Sequence, residues 1–118
     1  NPALVSARSR LGITLNKLGE HAEATRQFQR AIEQEPNEAS LYNNLGFSLY
    51  LEGDLEQAEV MLTRSLEMRP TFRRARMNHA VVLAKMERYD EALEVLDVYA
   101  SIDPLDGRVP LLKSIYFL

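Results

Sequence analysis

Along this chain large apolar residues recur three or four positions apart, and glycine or proline interrupts them at regular points. Between 40 and 70 the marks are Tyr42, Leu45-Gly46, Leu49, Gly53, Ala58, Leu62 and Pro70. That spacing puts the apolar side chains on one face of a helix. Glycine and proline mark where such a helix stops. Moved 34 residues upstream, the same columns hold Leu11-Gly12, Leu15, Gly19, Ala24, Phe28 and Pro36; moved downstream, they hold Ala80, Leu83, Ala92, Leu96 and Pro104. Pro2 falls on the same ruler, so four of the five prolines stand 34 apart. Chance does not produce that agreement across several columns.

The pattern predicts helices over 5–18, 21–35, 39–52, 73–86 and 90–103, with one more between Asp54 and Pro70. Leu11, Leu15 and Leu18 are expected to face inward from the first, and Ala24, Phe28, Ala31 and Ile32 from the second. Gly12 and Gly46 sit where a partner helix must come close. Asn37, Thr71 and Asp54 are candidate N-caps, Asp54 with Gln57 three positions on. Residues 1–4 read as a frayed end with Pro2 as a stop. The third unit is less regular. His79 takes the column of Leu11 and Leu45, and Tyr99 takes that of Ala31 and Ser65, where a larger side chain must widen the helix spacing or point outward.

A 34-residue helix-turn-helix period with these marks resembles the tetratricopeptide repeat family. The resemblance covers nearly the whole chain: full units over 5–38, 39–72 and 73–106, and a partial unit or capping helix over 107–118. It implies an all-α superhelix in which the first helix of each pair lines an inner, concave groove. Carried onto this chain, the groove columns are Arg10, Asn44, Asn78 and Leu112; Ile13, Phe47, Val81 and Ile115; and Ser9, Asn43, Met77 and Leu111. Tyr50 and Arg74 lie beside them. Asparagine offers both a donor and an acceptor, so a ladder of asparagines can hold the backbone of an extended peptide. The apolar row beside it would cover that peptide's side chains.

Some members of the family grip the C-terminal Glu-Glu-Val-Asp of heat-shock chaperones with two lysines, two asparagines and an arginine. The matching columns here hold Ser9, Ile13, Asn44, Arg74 and Asn78; Asn44 agrees and Arg74 keeps only the charge. Chaperone tails are therefore not the expected ligand. The string from Asn43 to Leu51 is also similar to repeats of bacterial pilus and secretion-apparatus assembly factors.

Composition narrows the chemistry. The 118 residues are 46% hydrophobic and 26% charged with a net charge of −3, enough for one domain with a continuous core and no general attraction to nucleic acid or anionic membranes. No window approaches the roughly 18 apolar residues of a membrane span. The absence of cysteine excludes disulfides and thiolate metal sites but leaves the compartment open. Asn1 in place of methionine leaves room for an upstream segment, a signal peptide included, so a periplasmic or envelope location stands beside a cytoplasmic one.

Catalytic signals are weak. His21 and His79 are 58 positions apart, and no zinc-protease, nucleophile-elbow or phosphate-loop motif is present. His79 reads as a packing or groove residue; no cofactor or metal is expected. Arg69, Arg73, Arg74 and Arg76 cluster at one turn, which in an acidic chain favours a solvated corner or an acidic peptide over nucleic acid. The expected function is a non-catalytic interaction module, a scaffold or adaptor taking a partner peptide or helix in the groove. Two alternatives are self-association through Leu111, Leu112, Ile115, Tyr116 and Leu118, and substrate delivery within a larger enzyme.

Overall fold

The computed structural model describes residues 1–102, which form six helices and, among the described residues, no strand. They are α1 (Pro2–Lys17), α2 (His21–Gln34), α3 (Ala39–Glu52), α4 (Leu55–Met68), α5 (Arg73–Lys85) and α6 (Tyr89–Ile102). The helices α2, α4 and α6 begin 34 residues apart, as do α3 and α5. Short turns fold each odd helix back on the even helix that follows, and each pair stacks on the next through α2 against α3 and α4 against α5. The expected unit over 107–118, with Leu111, Leu112, Ile115, Tyr116 and Leu118, lies outside the described residues.

The core runs within the pairs, as where Met77 and Ala80 meet Leu96 and Tyr99, and across the seams between them. Ala24 and Phe28 of α2 pack with Leu45 of α3, and Ala58 and Leu62 of α4 pack with Val82 of α5. Val5, Ala31 and Leu41 close the first seam at its other end. Two glycines make the close approach possible. A Cβ on Gly12 would meet three ring atoms of Phe28 at 2.5, 2.8 and 2.9 Å, and one on Gly46 would meet Leu62 Cγ at 2.8 Å.

Each odd helix ends in the same left-handed turn. Glu20 N–H bonds Leu15 O at 2.8 Å, Asp54 N–H bonds Leu49 O at 2.9 Å and Arg88 N–H bonds Leu83 O at 2.9 Å. The residue before each has positive φ: Gly19 at 83°, Gly53 at 89° and Glu87 at 63°. Only the third unit asks a side-chain-bearing residue to adopt this conformation. The stacking geometry overrides the local preference there.

Several expectations are corrected. Pro2 opens α1 instead of ending a preceding helix, with Asn1 as a cap whose Oδ1 accepts from Ala3 N–H at 3.0 Å. A proline at the first helical position gives up an N–H that has no intrahelical partner in any case. Asn37 and Thr71 do not cap: α3 and α5 start where expected, but the residues at their caps are Glu38 and Phe72, neither of which makes a side-chain cap bond. Side chains one turn into the helices hold these turns instead. Tyr42 Oη donates to Pro36 O at 2.8 Å, and Arg76, its counterpart 34 positions on, donates to Pro70 O at 3.0 Å. Asp54 does cap, accepting from Gln57 N–H at 3.2 Å.

Leu11 and Leu18 are 46% and 71% exposed, whereas Leu45, in the column of Leu11, is 5% exposed. The difference is a neighbour: α2 covers Leu45, and no described helix covers that side of α1. Tyr99 neither points outward nor disorders the third pair. It is fully buried with Met77, Ala80 and Leu96, so Met77 and Tyr99 build an apolar cluster from columns that hold Asn43 and Ser65 one unit earlier.

Candidate peptide-binding groove

The odd helices α1, α3 and α5 lie side by side, and their shared face carries two kinds of contact. The first is a polar ladder. Asn44 Nδ2 donates to Ser9 Oγ at 3.3 Å, and 34 residues later Asn78 Nδ2 donates to Asn43 Oδ1 at 2.9 Å. The same column therefore reaches back to the same column of the preceding helix at both seams. A second tie uses Asn16, whose Nδ2 donates to Ser48 Oγ at 2.7 Å while its Oδ1 accepts from His21 Nδ1–H at 3.0 Å.

This ladder revises the expected site. Asn43 is 1% exposed and Met77 7%, so neither faces the groove: Asn43 is the acceptor beneath Asn78, and Met77 belongs to the apolar cluster under α5. Asn44 and Asn78 are half-buried, each with one amide hydrogen committed to the neighbouring helix. Arg10, Ile13, Phe47 and Arg74 are exposed, and Tyr50 and Val81 are half-buried. Sequence reading overlooked Ser48 and His21, which acquire their roles only when three helices meet.

The second feature is a pair of apolar basins that share Phe47 as their common wall. One, of about 330 Å³, lies at the α1/α3 seam and is lined by Ile13, Asn16, Lys17, His21, Phe47 and Leu51. The other, of about 180 Å³, lies at the α3/α5 seam and is lined by Phe47, Tyr50, Leu62, Asn78, Val81 and Val82. Phe47 is 38% exposed, and its ring stands 6.0 Å from that of Tyr50 at a 35° tilt. Phe47 thus divides the basins, and with Tyr50, which lines the α3/α5 basin, it forms an aromatic ridge along α3.

Charge is divided by helix. The odd helices carry seven Lys or Arg and one acid, Glu52; the even helices carry three and nine. Net acidity thus conceals basic odd helices and acidic even ones. Glu52 is engaged by the Thr25 hydroxyl. Arg10, Lys17 and Arg74 are exposed, and none has an ion pair among the described residues. Arg69 instead stacks over Phe72, an aromatic within the arginine cluster that sequence reading passed over, at 4.8 Å from the ring centre.

Away from this face, His79 Nε2 lies 3.4 Å from Glu59 Oε2, and Arg88 bridges Glu59 at 2.6 Å and Glu91 at 2.5 Å. Burial pushes the His79 imidazolium pKa below its ordinary value, against the pull of Glu59. Arg88 holds the Glu91 carboxyl below the usual range. Among the described residues no group of His, Asp and Glu could hold a metal ion, and no helix is long and apolar enough to cross a membrane.

Paired helices stepping by a fixed period, with an inner face of apolar basins and uncommitted cations, define a helical-repeat protein-interaction module. Tetratricopeptide repeat profiles match residues 3–71 and 49–114. The chain belongs to the tetratricopeptide repeat family. It is 36% identical over 80 residues to the peroxisomal targeting signal receptor of Candida glabrata, covering 68% of this chain and 14% of that protein. It is 28% identical over 112 residues to Hsp70-Hsp90 organizing protein 1 of Glycine max, covering 91% and 20%. The chain thus spans a fifth or less of the length of these curated relatives. In fold it is similar to the first repeat domain of Spaghetti (RPAP3) bound to the HSP90 peptide SRMEEVD, with a TM-score of 0.91 at 12% identity over 97% of this chain and 93% of that one. It is also similar to the second repeat domain of human RPAP3 in complex with the HSP70 peptide SGPTIEEVD, with a TM-score of 0.88 at 16% identity over 97% and 95%.

Proposed function

We propose that this chain is a non-catalytic adaptor that binds an extended segment of a partner protein along the face of α1, α3 and α5. The observation that carries this reading is Phe47, a large aromatic 38% exposed that walls two apolar basins, one at each seam of the odd helices, with Leu62 and Val82 buried beneath the second. An aromatic in that setting contributes to binding more readily than to folding. Asn44 and Asn78 hold the groove's shape through the ladder, and among the described residues Asn78 Oδ1 has no partner, so it can accept from a ligand N–H.

Relatives and fold neighbours whose names mention chaperones do not make a chaperone tail the ligand here. Ser9, Asn44 and Asn78 are all engaged in the ladder and Ile13 lines an apolar basin, which leaves Arg74 alone to meet a carboxylate-rich tail. Peptides selected on this chain from a random linear library test the function. Binding should disappear in Phe47→Ala with the fold unchanged by circular dichroism, and amide shifts on titration should map to α1, α3 and α5. Shifts confined to other helices, or full binding by Phe47→Ala, would remove the groove from consideration. Titration with a peptide ending in Glu-Glu-Val-Asp should give no saturable binding; binding abolished by Arg74→Ala would reverse the ligand exclusion.

A further inference from the structure

We propose that the groove reads a polyproline-II segment bearing apolar side chains at positions i and i+3, with an acidic residue beside the one that enters the α1/α3 basin. This rests on the function proposed above and names the class of ligand.

The spacing comes from the two seams. Both basins use Phe47 as a wall, one from the α1 side and one from the α5 side, so a ligand that fills both must cross α3. Packed helices are separated by about 8–10 Å. In a β-strand, side chains on one face repeat every second residue, about 6.7 Å apart, and every fourth, about 13 Å apart; neither fits. A polyproline-II chain returns to the same face every third residue after about 9.3 Å, which does fit.

Two further features agree. Aromatic-lined grooves suit this conformation, and the Phe47–Tyr50 ridge lies where the intervening residues would run. A polyproline-II backbone makes no internal hydrogen bonds, so its N–H groups are open to acceptors such as Asn78 Oδ1. Charge supplies the third part of the preference. Lys17 forms the rim of the α1/α3 basin, Arg10 lies about two turns up the same helix, and α1 contains no acid. A carboxylate next to the side chain in that basin therefore meets uncompensated positive charge.

The test uses blocked synthetic peptides with two leucines separated by one to four residues, proline between them, and a flanking glutamate or glutamine. Fluorescence anisotropy at low and high salt gives the affinities. The i,i+3 peptide should bind about ten- to a hundredfold more tightly than its neighbours in the series, the effect of seating or losing one leucine. Glutamate should outbind glutamine several-fold at low salt, and the gap should close at high salt. Phe47→Ala should erase the spacing preference, and Lys17→Ala the acidic one.

Equal binding of all spacings overturns the inference while leaving the groove function standing. So does failure of the whole series when library-selected peptides bind. Tighter binding of a single-stranded oligouridine than of any peptide overturns it in favour of nucleic acid. If no linear peptide binds from any source, the underlying function fails as well.

Discussion

Replacing Gly12 with alanine tests whether helix contact or helix propensity governs this fold. In an isolated helix the change should help, because alanine is favoured over glycine by about 1 kcal/mol. Here the new methyl would lie 2.5–2.9 Å from three atoms of the Phe28 ring. Ordinary carbon contacts are about 3.5–4.0 Å, so α1 and α2 must part by about 1 Å or the ring must move. The ring is fully buried against Ala24 and Leu45 and has nowhere to go. Overpacking of this kind costs about 1–3 kcal/mol. The net expectation is a loss of up to about 2 kcal/mol, which for roughly 100 residues lowers the Tm by about 4–8 °C per kcal/mol. The third pair shows the tolerated alternative, since Ala80 stands in the glycine column opposite Leu96 and both are buried. Phe28→Leu should accordingly relieve the strain, making the double variant more stable than the sum of the two single losses by about 1 kcal/mol. Thermal and urea unfolding of the four proteins completes the cycle. A Gly12→Ala protein more stable than the parent would refute the argument.

Three other perturbations probe separate contacts. Glu87→Gly should stabilise the chain by about 0.5–1 kcal/mol, because Glu87 occupies a left-handed conformation that glycine adopts freely; an unchanged or lower urea midpoint would count against it. Asn78→Ala strands the buried Oδ1 of Asn43 and should cost about 1–2 kcal/mol, read from the same midpoint; no loss would mean that the 2.9 Å bond is not holding α3 to α5. His79 has a folded pKa below its ordinary value, chiefly from burial, so the unfolded chain takes up its proton first. Its contribution is intact above about pH 6.5 and is lost as the pH falls from there through the lower folded value. The faces around it are Glu59 on α4, Arg88 in the turn and Arg76 on its own helix. Unfolding at pH 7.5 and 5.5 should show the decline, and His79→Leu, matching Leu11 and Leu45 in its column, should remove most of it.

The division of charge bears on how a partner would approach. An acidic ligand is repelled by the even helices and drawn to the odd ones, which favours one orientation of encounter before any contact forms. Arg26 with Glu23 and Arg88 with Glu91 are exposed pairs that shape this field and add little to stability.

Helix positions were legible in the sequence because they depend on spacing. Gly12, Gly46, Ala24, Ala58 and Leu45 each sit in a column whose size the contact with the next helix dictates, so a period alone exposes them. Local chemistry was read correctly at Asp54 and Gln57, and wrongly at Asn37 and Thr71, where a side chain one turn into the helix holds the turn instead. Tertiary structure alone decided what each surface position does. Leu11 and Leu45 share a column and differ in exposure because one has a helix across from it. Asn43 and Asn44 are neighbours in sequence, yet the first lies under the second seam and the second half-faces the groove. A repeat determines which residues are equivalent. Which equivalents are covered, paired or left open depends on the neighbour that stacking brings, and that neighbour is about half a repeat to a full repeat away in sequence.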